Sequence, residues 1–218
     1  MSAKTQQLVS LFDGQPVIPV LKIENVADAV PLARALVRGG LPSIEVTLRT
    51  PDALEAIRRI AGEVEGAIVG AGTILDARQF HDAAAAGSKF IVSPGLTREV
   101  LDAASASEVP LLPGVITPGE IMTAREAGLH FLKFFPAEQA GGAAFLKSLA
   151  SPFGGMKFCP TGGITAKNAG SYLALPNVIC VGGSWVAPDD LVKAGNWDAI
   201  ERLAREAARL RQAHGAGN

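Results

Sequence analysis

Short apolar, β-prone runs recur along the chain, beginning near Val17, Ser43, Ala67, Lys89, Pro110, His130, Lys157 and Val178, at intervals of about 20 to 27 residues. Between them the apolar positions change to a helical period over residues 27–38, 51–62, 76–86, 97–105 and 118–127, several of these segments ending at a glycine suited to a C-cap. Neighbouring parallel strands must be joined by a long crossover, and a helix supplies it, so this alternation predicts a parallel sheet. Eight such units close on themselves. The expected fold class is α/β, a single (β/α)8 TIM barrel, with residues 1–218 forming one domain. Residues 5–12 are expected to form a helix that closes the barrel bottom. Residues 197–212 carry Ile200, Leu203, Ala204, Ala207 and Leu210 on one face, the pattern of an amphipathic helix packed on the barrel.

An open, doubly wound sheet is the main competitor, and two glycine motifs bear on it. Gly70-Ala71-Gly72 follows the third apolar run but lacks the third glycine of a dinucleotide fingerprint, which is Leu75 here, and it does not open the fold. The segment 142–148 suggests a phosphate-cradling loop, yet Leu146 precedes Lys147 where that motif needs glycine. Neither motif is read as functional.

Composition narrows the function classes. Hydrophobic residues make up 48% and charged residues 19%, as in an ordinary globular chain. A formal net charge of −1, with no block of basic residues, gives no electrostatic footprint for nucleic acid. No apolar run is long enough to span a bilayer and the polar opening is no signal peptide, so a soluble, cytoplasmic protein without a membrane partner is expected. Cys159 and Cys180 lie in apolar runs with no CxxC and no histidine at ligand spacing, and His81, His130 and His214 lack companions; neither a metal site nor a disulfide framework is expected.

In a barrel the chemistry is built at the C-terminal ends of the strands. On the second run, a period of two puts Glu45, Thr47 and Arg49 on one side and Ile44, Val46 and Leu48 on the other. A carboxylate aimed into a barrel is costly unless it has a task or a partner. Glu45 is therefore a candidate acid/base, the alternative being a structural Glu45–Arg49 ion pair. The sixth run, Phe131-Leu132-Lys133-Phe134-Phe135-Pro136, holds one amine among phenylalanines. Desolvation disfavours an ammonium and so raises the share of the nucleophilic neutral form. Lys133 is a candidate nucleophile, unless its ammonium snorkels to solvent. Two glycine pairs, Gly162-Gly163 and Gly182-Gly183, the second followed by the hydroxyl of Ser184, come after the seventh and eighth runs, where barrels commonly bind phosphate with backbone N–H groups and a helix N-terminus. Thr73 and Pro94 also end strands at the mouth, and Pro94 suits an ordinary turn equally well.

Taken in order, Pro16-Val17-Ile18-Pro19-Val20, Glu45-Val46-Thr47-Leu48-Arg49-Thr50, Val69-Gly70-Ala71-Gly72-Thr73, Ser93-Pro94-Gly95-Leu96, Lys133-Phe134-Phe135-Pro136-Ala137-Glu138, Cys159-Pro160-Thr161-Gly162-Gly163-Ile164 and Gly182-Gly183-Ser184-Trp185 resemble the motifs of the 2-keto-3-deoxy-6-phosphogluconate (KDPG) and 4-hydroxy-2-oxoglutarate aldolases. The resemblance runs from about residue 10 to about residue 210, with a small departure at Gln139-Ala140. It implies a class I, Schiff-base aldolase that needs no cofactor, with Lys133 as the Schiff-base lysine and Glu45 as the acid/base. It further implies that Arg49, Thr73, Pro94 and Thr161 line the keto-acid end, that Gly162, Gly163, Gly183 and Ser184 bind phosphate, and that the chain forms a homotrimer. The reaction implied is reversible cleavage of a phosphorylated 2-keto-3-deoxy sugar acid to pyruvate and glyceraldehyde 3-phosphate. Preference for 4-hydroxy-2-oxoglutarate or for the galactonate epimer is an alternative. More distant ones are a phosphosugar isomerase, a phosphate-group transferase and a non-catalytic phosphosugar-binding barrel.

Overall fold

Eight parallel strands are hydrogen-bonded in the order β7-β6-β5-β4-β3-β2-β1-β8 in a computed structural model that describes residues 2–210. They are β1 (Val17–Leu21), β2 (Ser43–Thr47), β3 (Ile68–Gly72), β4 (Ile91–Ser93), β5 (Leu111–Val115), β6 (Phe131–Phe134), β7 (Lys157–Pro160) and β8 (Val181–Gly183). Parallel bridges Phe158↔Val178 and Thr161↔Gly182 join the last two strands and complete the barrel. This is the expected (β/α)8 architecture, and the open-sheet alternative falls.

The strands are covered by α2 (Val26–Arg38), α3 (Ala53–Glu63), α4 (Ala77–Ala85), α5 (Arg98–Ala106), α6 (Pro118–Glu126), α7 (Gly142–Ser148), α8 (Ala169–Leu173), α9 (Asp189–Lys193) and α10 (Trp197–Ala208), with α1 (Ala3–Leu11) preceding them. Most observed bounds differ from the expected ones by one or two residues. The 197–212 segment is helical through Ala208, and its expected end, like His214, lies outside the described residues. Helix starts are fixed locally. Asn25, Asp76 and Thr97 accept from the backbone N–H of Ala27, Gln79 and Val100, while Thr117 and Glu120 form a reciprocal capping box.

Strand alternation sorts side chains into two layers. Ile44 and Val46 of β2, Ile91 of β4 and Leu132 and Phe134 of β6 join the large apolar layer between strands and helices. Ile18, Phe90, Val92, Leu112, Phe131, Cys159 and Cys180 fill the barrel interior together with Leu8 and Phe12 of the N-terminal region. The Phe12 ring meets Phe90 edge-on at 4.8 Å and Phe131 at 5.9 Å, so the first helix does plug the bottom. With the lower interior apolar and closed, the polar inward-facing residues lie above it, toward the C-terminal ends of the strands.

Candidate active site

The Nζ of Lys133 lies 3.5 Å from Oε1 of Glu45, across the barrel mouth from β6 to β2. Lys133 is only 5% exposed and Glu45 only 3%. Desolvating two such ions costs several kcal/mol each, and an apolar pair of similar volume often serves stability as well. Stability therefore does not explain the pair. The expected snorkelling alternative fails, since the amine is buried. So does the Glu45–Arg49 alternative, because Arg49 donates its Nε to Thr47 Oγ1 at 3.0 Å and Thr47 donates onward to the Leu21 carbonyl at 2.8 Å.

Only some of the phenylalanines near Lys133 in sequence face it. Phe135 lies beneath the amine, with its ring centroid 5.0 Å from Nζ. Phe134 points the other way, into the helical layer, where it stacks on Phe145 at 5.9 Å. The image of an amine set among all its neighbouring phenylalanines is corrected by the two-residue period of the strand.

Glycines make the close approaches possible. A Cβ on Gly72 would overlap the Glu45 carboxylate, a Cβ on Gly70 would overlap the Phe90 ring, and a Cβ on Gly182 would overlap the Thr161 hydroxyl. The Gly70-Ala71-Gly72 motif thus has a packing reason that the dinucleotide comparison missed. Thr73, the next residue, has φ +61, the one described non-glycine residue with positive φ. A β-branched side chain in that region is strained, and such strain gathers at functional sites.

The remaining candidates ring the same mouth. Pro94 follows β4, with its carbonyl close against Gly114 of β5. Thr161 is buried, and its backbone N–H donates to Phe134 at 2.9 Å. Gly162 and Gly163 hold φ values of +100 and +75, available at low cost only to glycine. Gly183 ends β8 and Ser184 is exposed just beyond it. The anticipated helix N-terminus is not there. The helices after β7 and β8 are five-residue segments starting at Ala169 and Asp189, beyond the glycine pairs, and α9 opens with two aspartates. What the two loops offer an anion is their own backbone N–H groups and the Ser184 hydroxyl.

Among the described residues no cluster of three or more His, Cys, Asp or Glu side chains is arranged to hold a metal ion, and no helix is long and apolar enough to cross a membrane. His81 is exposed beside the Phe80 ring, and His130 Nδ1 lies 3.1 Å from the Gly128 carbonyl. The segment 142–148 is helix α7, entered through Gly141 at φ +104.

The chain that encloses this lysine–carboxylate pair at its barrel mouth is matched over residues 9–203 by a family profile described as KDPG and KHG aldolase. The chain belongs to this aldolase family. It is 52% identical over 197 residues to a 2-dehydro-3-deoxy-phosphogluconate aldolase of Dickeya dadantii, covering 90% of this chain and 92% of the relative. The crystal structure of a KDPG aldolase from Legionella pneumophila, with pyruvate captured as a covalent carbinolamine intermediate, superposes with a TM-score of 0.90 at 48% identity over 94% of this chain and 98% of that one. The Zymomonas mobilis enzyme with 3-phosphoglycerate gives the same TM-score and identity over 96% of this chain and 99% of that one. The fold of this family member is thus shared with these solved relatives over nearly their whole lengths.

Proposed function

We infer that Lys133 is the nucleophile and Glu45 the proton carrier of a class I aldolase, and the observation that carries this reading is their enclosed 3.5 Å contact. The chain is a Schiff-base aldolase, a carbon–carbon lyase that reversibly cleaves 2-dehydro-3-deoxy-6-phosphogluconate to pyruvate and glyceraldehyde 3-phosphate. The neutral amine of Lys133 attacks the C2 ketone, and loss of water from the carbinolamine leaves an iminium. Glu45 accepts the C4 hydroxyl proton; the C3–C4 bond breaks, its electron pair flows into the iminium, and C4 departs as the aldehyde. Protonation of the enamine at C3 and hydrolysis then release pyruvate and restore the amine. A carbinolamine of pyruvate in the Legionella relative supports this route.

Arg49, oriented through its Nε bond to Thr47, has further N–H groups to hold the substrate carboxylate, a task suited to a planar guanidinium. Thr73, Pro94 and Thr161 complete the keto-acid end in this reading. The loops Gly162-Gly163 and Gly183-Ser184 receive the terminal phosphate, and 3-phosphoglycerate in the Zymomonas relative is in keeping with a phosphorylated ligand. The whole chain, 1–218, works as one barrel domain, in a cytoplasmic homotrimer. The test is incubation with the phosphorylated keto acid while pyruvate release is followed through a coupled NADH oxidation. Steady pyruvate production abolished by Lys133→Ala is expected; binding without turnover would return the chain to a phosphosugar-binding barrel.

A further inference from the structure

One polar contact at the mouth lies outside the reaction just described. Tyr172 of α8 is wholly buried, and its phenol donates a hydrogen bond to Oε1 of Glu138, an exposed residue in the turn after β6. Packing alone would accept phenylalanine here; the hydroxyl is matched by its carboxylate partner. A phenol is an O–H donor at neutral pH in any case, and burial first, and then Glu138, push Tyr172 further above its ordinary range.

Glu138 is bound to the glycine loop by both backbone and side chain. Ala137 N–H donates to the Thr161 carbonyl at 2.8 Å and Glu138 N–H to the Gly162 carbonyl at 3.2 Å, extending the β6–β7 ladder into the two loops. A Cβ on Gly163 would lie 2.8 Å from Glu138 Cβ and 2.7 Å from its Cγ, so the glutamate stem already covers Gly163. Its carboxylate is one carbon further on. Among the described residues it forms no ion pair with a basic side chain. Freed from Tyr172, that carboxylate would still sit at the end of a stem packed against Gly163, leaving its negative charge beside the Gly162-Gly163 loop. Gly142 adjoins the pin, its Cβ position lying in ordinary contact 3.5 Å from the Tyr172 hydroxyl and 3.7 Å from Glu138 Oε1, and its φ of +65 is what favours glycine there.

We propose that Tyr172 is a positioning residue for the anion end of the site, holding the Glu138 carboxylate aside so that a substrate phosphate meets backbone N–H groups instead of a like charge. The proposal rests on the phosphate reading of the glycine loops. Removing the hydroxyl frees the carboxylate to oppose the phosphate, whereas removing the charge as well makes the pin unnecessary.

The experiment compares wild type, Tyr172→Phe, Glu138→Gln and the double variant. It measures KM and kcat for the phosphorylated keto acid and the half-saturation of borohydride trapping by pyruvate. Tyr172→Phe is expected to raise KM about tenfold with kcat changed less than twofold and pyruvate half-saturation unmoved. Glu138→Gln should leave KM at or below the wild-type value, and the double variant should return to within about twofold of Glu138→Gln. An unchanged KM in Tyr172→Phe, an equal loss for pyruvate, or no rescue in the double variant overturns the pin in favour of simple loop support. Should Tyr172→Phe not fold, Glu138→Gln still decides, because a raised KM there contradicts the proposal. The phosphate reading is judged separately, by wild-type kcat/KM for phosphorylated against dephosphorylated substrate. A ratio near one removes the phosphate site and the pin with it, whereas a large ratio with any of the contrary results above removes the pin alone.

Discussion

The Glu45 carboxylate rests against the bare backbone of Gly72 on the neighbouring strand, in a space that a single methyl group would fill. Gly72→Ala should therefore push the carboxylate away from Lys133 while adding only one carbon to the barrel. A displacement of about 1 Å in a catalytic group costs on the order of 10²-fold. The expected result is a loss of roughly 10- to 10²-fold in single-turnover cleavage, with circular dichroism and thermal midpoint near wild type. Unimpaired cleavage would mean that Glu45 acts from another position.

Borohydride added with pyruvate should reduce the iminium and attach a pyruvyl group to Lys133, as read by peptide mass spectrometry. The expectation follows from an amine 5% exposed, bounded by Phe135 and Glu45. Labelling of a surface lysine such as Lys147 or Lys167 instead, in an active preparation, would refute the Schiff-base assignment.

Replacing Glu45 by Gln keeps the shape of the site and removes the proposed proton carrier. Loss of a general acid/base costs typically 10²- to 10⁴-fold, so kcat should fall by about 10²-fold or more while pyruvate binding holds. Measured where chemistry limits the rate, a near-normal kcat would reduce Glu45 to a counter-ion for Lys133.

Much of this site was legible along the chain, for a definite reason. The two-residue period of β2 puts Glu45, Thr47 and Arg49 on one face, and a lysine inside an apolar strand either snorkels to solvent or is buried, a choice that the expected nearness of Glu45 at the same mouth weighs toward burial. Glycine was harder to interpret. In sequence Gly72 belongs to a partial dinucleotide fingerprint made of its neighbours, whereas its role is set by Glu45, 27 positions away and adjacent only through the β2–β3 register that pairs Thr47 with Gly72. Phe134 and Phe135 look equivalent in sequence, yet the first faces the helices and the second lies under the amine. Helices α8 and α9 are too short to carry a readable period, which is why a helix N-terminus was expected at glycine pairs where none lies. The Tyr172–Glu138 contact joins residues brought together only by the barrel, and no spacing signals it.

The phosphate end can be tested at Gly163, where two independent constraints meet. Its φ of +75 is open to glycine and strained for any β-branched residue, and a Cβ there would sit 2.7 Å from Glu138 Cγ. Gly163→Val must therefore either reshape the loop or displace Glu138, and both should disturb the backbone N–H groups proposed to receive the anion. Hydrogen bonds to a charged group are worth about 1.5 to 3 kcal/mol each, so losing one or two of them is a loss of about 10- to 10⁴-fold in kcat/KM. We expect at least 10²-fold for the phosphorylated substrate. Pyruvate occupies only the Lys133 end, so its borohydride trapping should keep wild-type half-saturation in the same variant, which also certifies that the barrel is folded. In wild type, removing the phosphate from the substrate should produce a comparable fall. If Gly163→Val retained full kcat/KM, or if wild type cleaved the dephosphorylated substrate equally well, the loops after β7 and β8 would not be the phosphate site, and 4-hydroxy-2-oxoglutarate would become the better substrate assignment.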